Sequence, residues 1–189
     1  MSTPIDGLVA GFQDLVAQVP EVVQPLIVAL AGTVPFIEGE GSAAIGVIGG
    51  VHPVAAGVAG AVGNMLAVTI VVLLGSRIRE AAVARRQRAV AARERELVGA
   101  GGVAVDTVAE PAKPESKGRR RVRQWLTRFG VPGASLLAPL ALPTHFTAAT
   151  LVASGVSKGW VLLWQAVAIV VWTTLLVLLA SGLLAVATG

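Results

Sequence analysis

Two apolar stretches constrain this chain more than anything else in it. Val54–Gly75 runs for 22 residues with Asn64 and Thr69 as its strongly polar members, and Trp160–Ala187 is longer and carries no formal charge. As helices at 1.5 Å per residue, the first reaches about 33 Å, enough to cross a hydrocarbon core of about 30 Å. The composition agrees: 54% of the 189 residues are apolar and 14% are charged, against about 25% charged in an ordinary soluble domain. Such a chain lacks the polar groups to cover a water-facing surface. The expectation is an all-α membrane protein. With no cysteine, a disulfide scaffold is excluded.

Charge is sorted along the chain. Residues 1–76 hold five acids (Asp6, Asp14, Glu21, Glu38, Glu40) and no Lys or Arg. Residues 77–128 hold fourteen of the fifteen basic residues against six acids, and beyond them Lys158 is the last formal charge. Basic residues gathered in the one long polar loop between spans mark a cytoplasmic loop. The expected location is therefore the inner or plasma membrane, multi-pass, with residues 77–128 in the cytoplasm. The same distribution argues against a nucleic-acid partner. The first 19 residues lack the basic region of a secretory signal.

Four segments follow from this pattern. Residues 1–21 place Leu8, Phe12, Leu15, Val16 and Val19 at helical spacing, which reads as an amphipathic helix at an interface or packed on protein. In residues 22–76 a first arm, Val22–Ile37, carries Pro25 and Pro35 and is too short to cross. Glu38-Gly39-Glu40-Gly41 follows, then small residues to Gly50 and a break at Val51-His52-Pro53. Neither arm spans alone, so a re-entrant hairpin with its tip at Glu38–Gly41 is expected. Irregular backbone at membrane depth is tolerated only where protein or a water-filled cavity surrounds it. The span after the hairpin has Gly57, Gly60 and Gly63 on or near one face, where another helix can come close. Residues 77–118 read as a basic cytoplasmic helix to Val98 and then a Gly/Pro-rich flexible linker.

Residues 119–189 repeat the plan. A basic helix, Arg119–Phe129, meets a break at Gly130–Gly133, and a short arm follows to Leu142. A tip at Pro143–Thr147, a returning arm to Val156 and a span from Trp160 complete it. The first hairpin should enter from outside and the second from the cytoplasm. The expected architecture is thus two inverted repeats, each a re-entrant helical hairpin followed by a transmembrane helix. In that layout the tips Glu38–Gly41 and Pro143–Thr147 approach one another near the midplane, as in many secondary transporters.

The run Pro35-Phe36-Ile37-Glu38-Gly39-Glu40-Gly41-Ser42-Ala43-Ala44-Ile45-Gly46, the later Gly63-Asn64 and Pro139-Leu140-Ala141-Leu142-Pro143-Thr144 resemble the small multidrug export protein family, in its actinobacterial branch. That family is distantly related to the DedA membrane proteins. The resemblance covers most of 20–76 and 119–187 and leaves out the basic insert. Glu40 stands where many members have arginine, and Thr144-His145-Phe146 where many have Gly-Thr-Gly. The resemblance implies drug export, or through the DedA kinship translocation of a lipid or polyprenyl-phosphate carrier.

Glu38 and Glu40 are the leading site residues. A carboxylate near the bilayer centre costs about 2.5–3.5 kcal/mol on insertion scales, so it needs a partner or a proton. A proton carried with substrate movement is one reading, and hydration of both acids at the outer edge is the other. His145, whose side chain changes charge near neutral pH, stands at the opposite tip and has two readings: a relay paired with Glu38 or Glu40, or a neutral ring bonded to a backbone carbonyl. Pro35, Asn64, Pro143, Thr144 and Thr147 are expected to support the hairpins or line a polar path. Arg119, Arg120, Arg121 and Arg123 are candidates for lipid head-group contact at the cytoplasmic side. The spacing of His and acid matches no metal site. No nucleophile–base pair or phosphate loop points to an enzyme or a cofactor.

Three functions compete at this level. One is a proton-coupled secondary transporter of small amphipathic molecules, acting as a homodimer; another is a DedA-type lipid-carrier translocase. The third is a non-transporting membrane scaffold or assembly subunit.

Overall fold

The computed structural model describes residues 18–99 and 130–188, together with Gly11 and Asp14. Among these residues the regular structure is helical throughout. In chain order it comprises α1 (Gln24–Gly32), α2 (Glu38–Ile48), α3 (Pro53–Gly99), α4 (Gly130–Leu140), α5 (Thr144–Ala153) and α6 (Lys158–Thr188). Pro139 tightens the end of α4 into a 3-10 turn, Ala138–Leu140. The N-terminal amphipathic helix, the linker and the basic segment with Arg119, Arg120, Arg121 and Arg123 lie outside the described residues, apart from a few positions before Pro20.

α3 and α6 are both long and apolar enough to cross a membrane. They pack antiparallel. Lys158 Nζ meets Glu80 Oε1 at 2.9 Å at one end, Val68 and Val72 share a buried cluster with Val161 and Ile169, and Gly57 faces Val177 toward the other end. Val54, Val58, Val62, Leu66, Ile70, Leu74 and Ile78, four residues apart, form an exposed stripe down α3. On α6, Leu163, Val170, Leu178 and Leu183 are equally exposed. Monomers in water rarely show contiguous apolar faces of this extent; hydrocarbon tails are the surroundings that suit them.

The short helices fill the rest of the core in two pairs. α1 starts at the Pro53 end of α3 and brings Gly32 against Gly60 and Asn64. After a turn α2 carries the chain back, with Gly39 beside Gly60 and Gly46 beside Ala56. Val28, Val47, Val51, Ala56 and Ala180 close that end. α4 and α5 approach from the other direction, from the level of Arg79. Ser135 meets Gln165, the Trp172 indole donates to the Leu136 carbonyl at 2.9 Å, and α5 returns so that Gly155 lies under the Arg79 guanidinium. Each pair therefore begins and ends at one end of the stretch of α3 between Pro53 and Arg79, and turns near the middle of that stretch, at Asn64.

Several boundaries differ from those expected. Glu38–Gly41 is the first turn of α2 and not a tip; the turn itself is Thr33–Ile37. Pro35 has no N–H to continue α1, and acids favour a helix N-terminus. In the second half Pro143 ends the turn and Thr144 already belongs to α5. Gly130 has a left-handed φ of 66°, yet Val131-Pro132-Gly133 is helical, because proline fits a first helical turn. The span and the basic helix after it are one continuous α3 of 47 residues. Gly60 and Gly63 face α1 and α2, but Gly57 turns toward α6.

Candidate functional site

The two turns meet around one carboxylate. Glu38 Oε1 accepts the Thr144 backbone N–H at 2.6 Å, the Thr144 hydroxyl at 2.7 Å and His145 Nδ1 at 3.0 Å. Glu38 is 3% exposed and His145 7%. A buried charge survives only when it is paired and hydrogen-bonded, and bonds to an ionised acceptor are the stronger kind. The arrangement has a local cause. α5 begins after Pro143, whose side chain offers no acceptor for the free N–H groups of the first turn. Glu38, distant in sequence, fills that role and sits at the positive end of the α5 dipole.

The backbone is strained on either side of the junction between the turn and α2. Phe36 has φ 75° and Glu38 φ 53°, a left-handed backbone that costs an L-residue roughly 1–2 kcal/mol. Close packing surrounds the start of α2. A Cβ on Gly39 would lie 2.8 Å from Thr173 Oγ1 and 3.1 Å from the Gly60 carbonyl oxygen.

Asn64 extends the network. Its Oδ1 lies 3.2 Å from Thr144 Oγ1, while its Nδ2 has no partner. One hydroxyl proton cannot serve both Glu38 and Asn64. Turning the amide end for end lets Nδ2 donate to Thr144 Oγ1, which donates in turn to Glu38. A carboxylate only accepts, so His145 carries hydrogen on Nδ1, and its buried Nε2 is without a partner. Asn64 is about 16 Å along α3 from Pro53 and about 20 Å from Arg77, counted at 1.5 Å per residue.

Glu40 stands apart from this clasp. It shares with Glu38 a pocket of about 130 Å³ walled by Phe36, Pro139, Ala141, Leu142 and Pro143. Its Oε2 is buried and unpartnered. Over the turns the exposed rings of Phe36 and Phe146 lie tilted with centroids 6.2 Å apart. Pro35 is in the first turn and exposed. Thr147 bonds back to the Pro143 carbonyl at 3.3 Å and serves α5 itself. His52 is exposed between α2 and α3.

A second buried polar set, on α6, was not singled out in the sequence. Gln165 is fully buried with Nε2 3.4 Å from Ser135 Oγ, and Thr173 is 2% exposed with its hydroxyl unpartnered. A glutamine inside an otherwise apolar span was the available signal, since a polar side chain there faces protein more often than lipid. In comparisons with known proteins, the chain matches no family model, no curated protein and no solved structure.

Proposed function

We propose that this chain is a secondary transporter of small amphipathic molecules, driven by protons, in which Glu38 carries the proton and His145 relays it. In this reading each short-helix pair is a re-entrant hairpin, the two halves are inverted, and their turns meet at the midplane. The resemblance to small multidrug export proteins points the same way. One observation carries the proposal: a carboxylate buried at mid-span, held by the helix start and the histidine of the opposite half.

The chemistry follows from that clasp. Ionised Glu38 attracts the α5 N-terminus and the His145 N–H, so the two turns stay together. A proton on Glu38 removes the charge that all three donors address, and the clasp loosens. The pocket beside Glu40 then widens toward whichever end of the bundle the hairpins expose. Alternate loading and release of the proton moves substrate across. Glu40, at the pocket wall, is the second carboxylate a substrate meets.

The test uses the full chain in vesicles with a pH-sensitive dye inside and a lipophilic cation such as ethidium as substrate. Wild type should show substrate-dependent proton flux, and E38Q should abolish it. Flux unchanged in E38Q refutes the mechanism. The exposed Phe36 and Phe146 beside the site favour a second reading, translocation of a lipid or polyprenyl-phosphate carrier. Flipping of a fluorescent lipid by wild type, without ethidium-dependent flux, would select it.

A further inference from the structure

Two hollows outside the Glu38 site adjoin one another. One, of about 710 Å³, opens at the Pro53 end of the bundle among Glu21, Gln24, His52, Pro53 and Ser181. The other, of about 420 Å³, is a groove between α3 and α6 walled by Val54, Gly57, Val58, Thr173, Val177 and Ser181. Pro53 and Ser181 border both. Both volumes lie in the range of small-molecule sites, roughly 300–1,000 Å³. The groove exists because Gly57 brings no side chain against Val177; a Cβ there would touch it at 3.4 Å.

Two hydroxyls mark the path. In apolar helices serine and threonine ordinarily bond back to a carbonyl of the preceding turn, as Thr69, Ser76, Thr150 and Ser154 do here. Thr173 and Ser181 do not, although both oxygens are buried. Each borders the groove instead, Thr173 farther along α6 from the mouth and Ser181 at the mouth. Thr173 also abuts Gly39, next to Glu38.

Charge distinguishes the mouth from the groove. Among the described residues Glu21 is the one carboxylate in its wall, and neither residues 1–76 nor the chain after Lys158 contain a Lys or Arg. Helix dipoles do not decide the sign, because α1 and α3 begin at this end while α2 and α6 finish there. An anionic mouth on an apolar groove fits a molecule with the complementary parts.

We infer that these hollows together bind a single-chain amphiphile with a cationic head, its chain in the α3–α6 groove and its head at Glu21. This rests on reading α3 and α6 as membrane spans and not on proton coupling. The probe is dodecyltrimethylammonium carrying a diazirine at the chain end, photolysed with the full chain in phosphatidylcholine vesicles. Adducts should fall within residues 53–61 and 170–181 and be competed by unmodified dodecyltrimethylammonium, not by dodecyl sulfate. E21Q should raise the half-competing concentration by up to about fivefold, the scale of one exposed ion pair. V58W, at a position 60% exposed to begin with, should block the groove and lose the adducts.

Adducts spread over all apolar faces, or equal competition by the sulfate, would overturn the assignment. So would ready disulfide formation between V58C chains, which would put a second copy in the groove. The labelling reads binding alone. Wild type that binds the probe but moves no protons would sink the coupling mechanism and leave this site standing.

Discussion

Replacing Glu38 separates the strength of the clasp from the backbone strain at that residue. Interhelical hydrogen bonds inside bilayers contribute about 0.6–2 kcal/mol each. Glu38 accepts three of them, so E38A should destabilise the chain by about 3 kcal/mol. Part of this comes from leaving the Thr144 and His145 N–H groups buried without an acceptor. E38G loses the same bonds but relieves the left-handed backbone at φ 53°, where glycine is not penalised. It should therefore be about 1 kcal/mol more stable than E38A. E38Q keeps one acceptor oxygen and should fall between wild type and E38A. The assay is reversible unfolding in mixed micelles followed by tryptophan fluorescence. E38A within 0.5 kcal/mol of wild type would show that the clasp does not hold the fold. E38A more stable than E38G would show that the residue is not strained.

Other substitutions probe the packing around the site. G63A should destabilise severely, by more than about 2 kcal/mol, because its Cβ would run into the Ala29 carbonyl, whereas G57A should be nearly neutral; thermal unfolding of the pair checks this. T144V removes the hydroxyl shared with Glu38 and Asn64 and should cost about 1 kcal/mol, an effect largely absent when introduced into E38A. K158A should change stability by less than about 0.5 kcal/mol, since its pair with Glu80 is exposed on both sides.

The helical build and the two long apolar helices were legible in sequence, because runs of that length and composition have few other ways to satisfy their backbone. Two runs long enough to cross, two short proline-broken arms and one basic loop leave few ways to bury the polar groups. Glu38 and His145 stood out for the same reason: each sits in apolar sequence without an adjacent partner. What sequence left open was register. Whether Glu38 or Glu40 would meet His145 depends on where α2 begins, and that is set by the left-handed turn at Phe36 and Glu38. The cap on α5 was hidden as well. Capping is read from neighbouring residues, and here the acceptor comes from the other half of the chain. Thr173 and Ser181 carry a weaker signal than Gln165, because a hydroxyl in an apolar helix can bond back to its own backbone, and the buried face of α6 is fixed only by its contacts with α2, α3 and α4.

The meeting of the two turns can be measured directly, since the natural sequence has no cysteine. F36C and F146C, at exposed positions whose rings lie 6.2 Å apart, would be combined with a protease site inserted between residues 99 and 118. After treatment in the membrane with a short bifunctional methanethiosulfonate, which bridges thiols too far apart for a direct disulfide, and cleavage, we expect the two halves to remain joined until a reductant is added. Halves that separate without reductant, while each single-cysteine chain reacts readily with a thiol reagent, would contradict the convergence on which the Glu38 site depends.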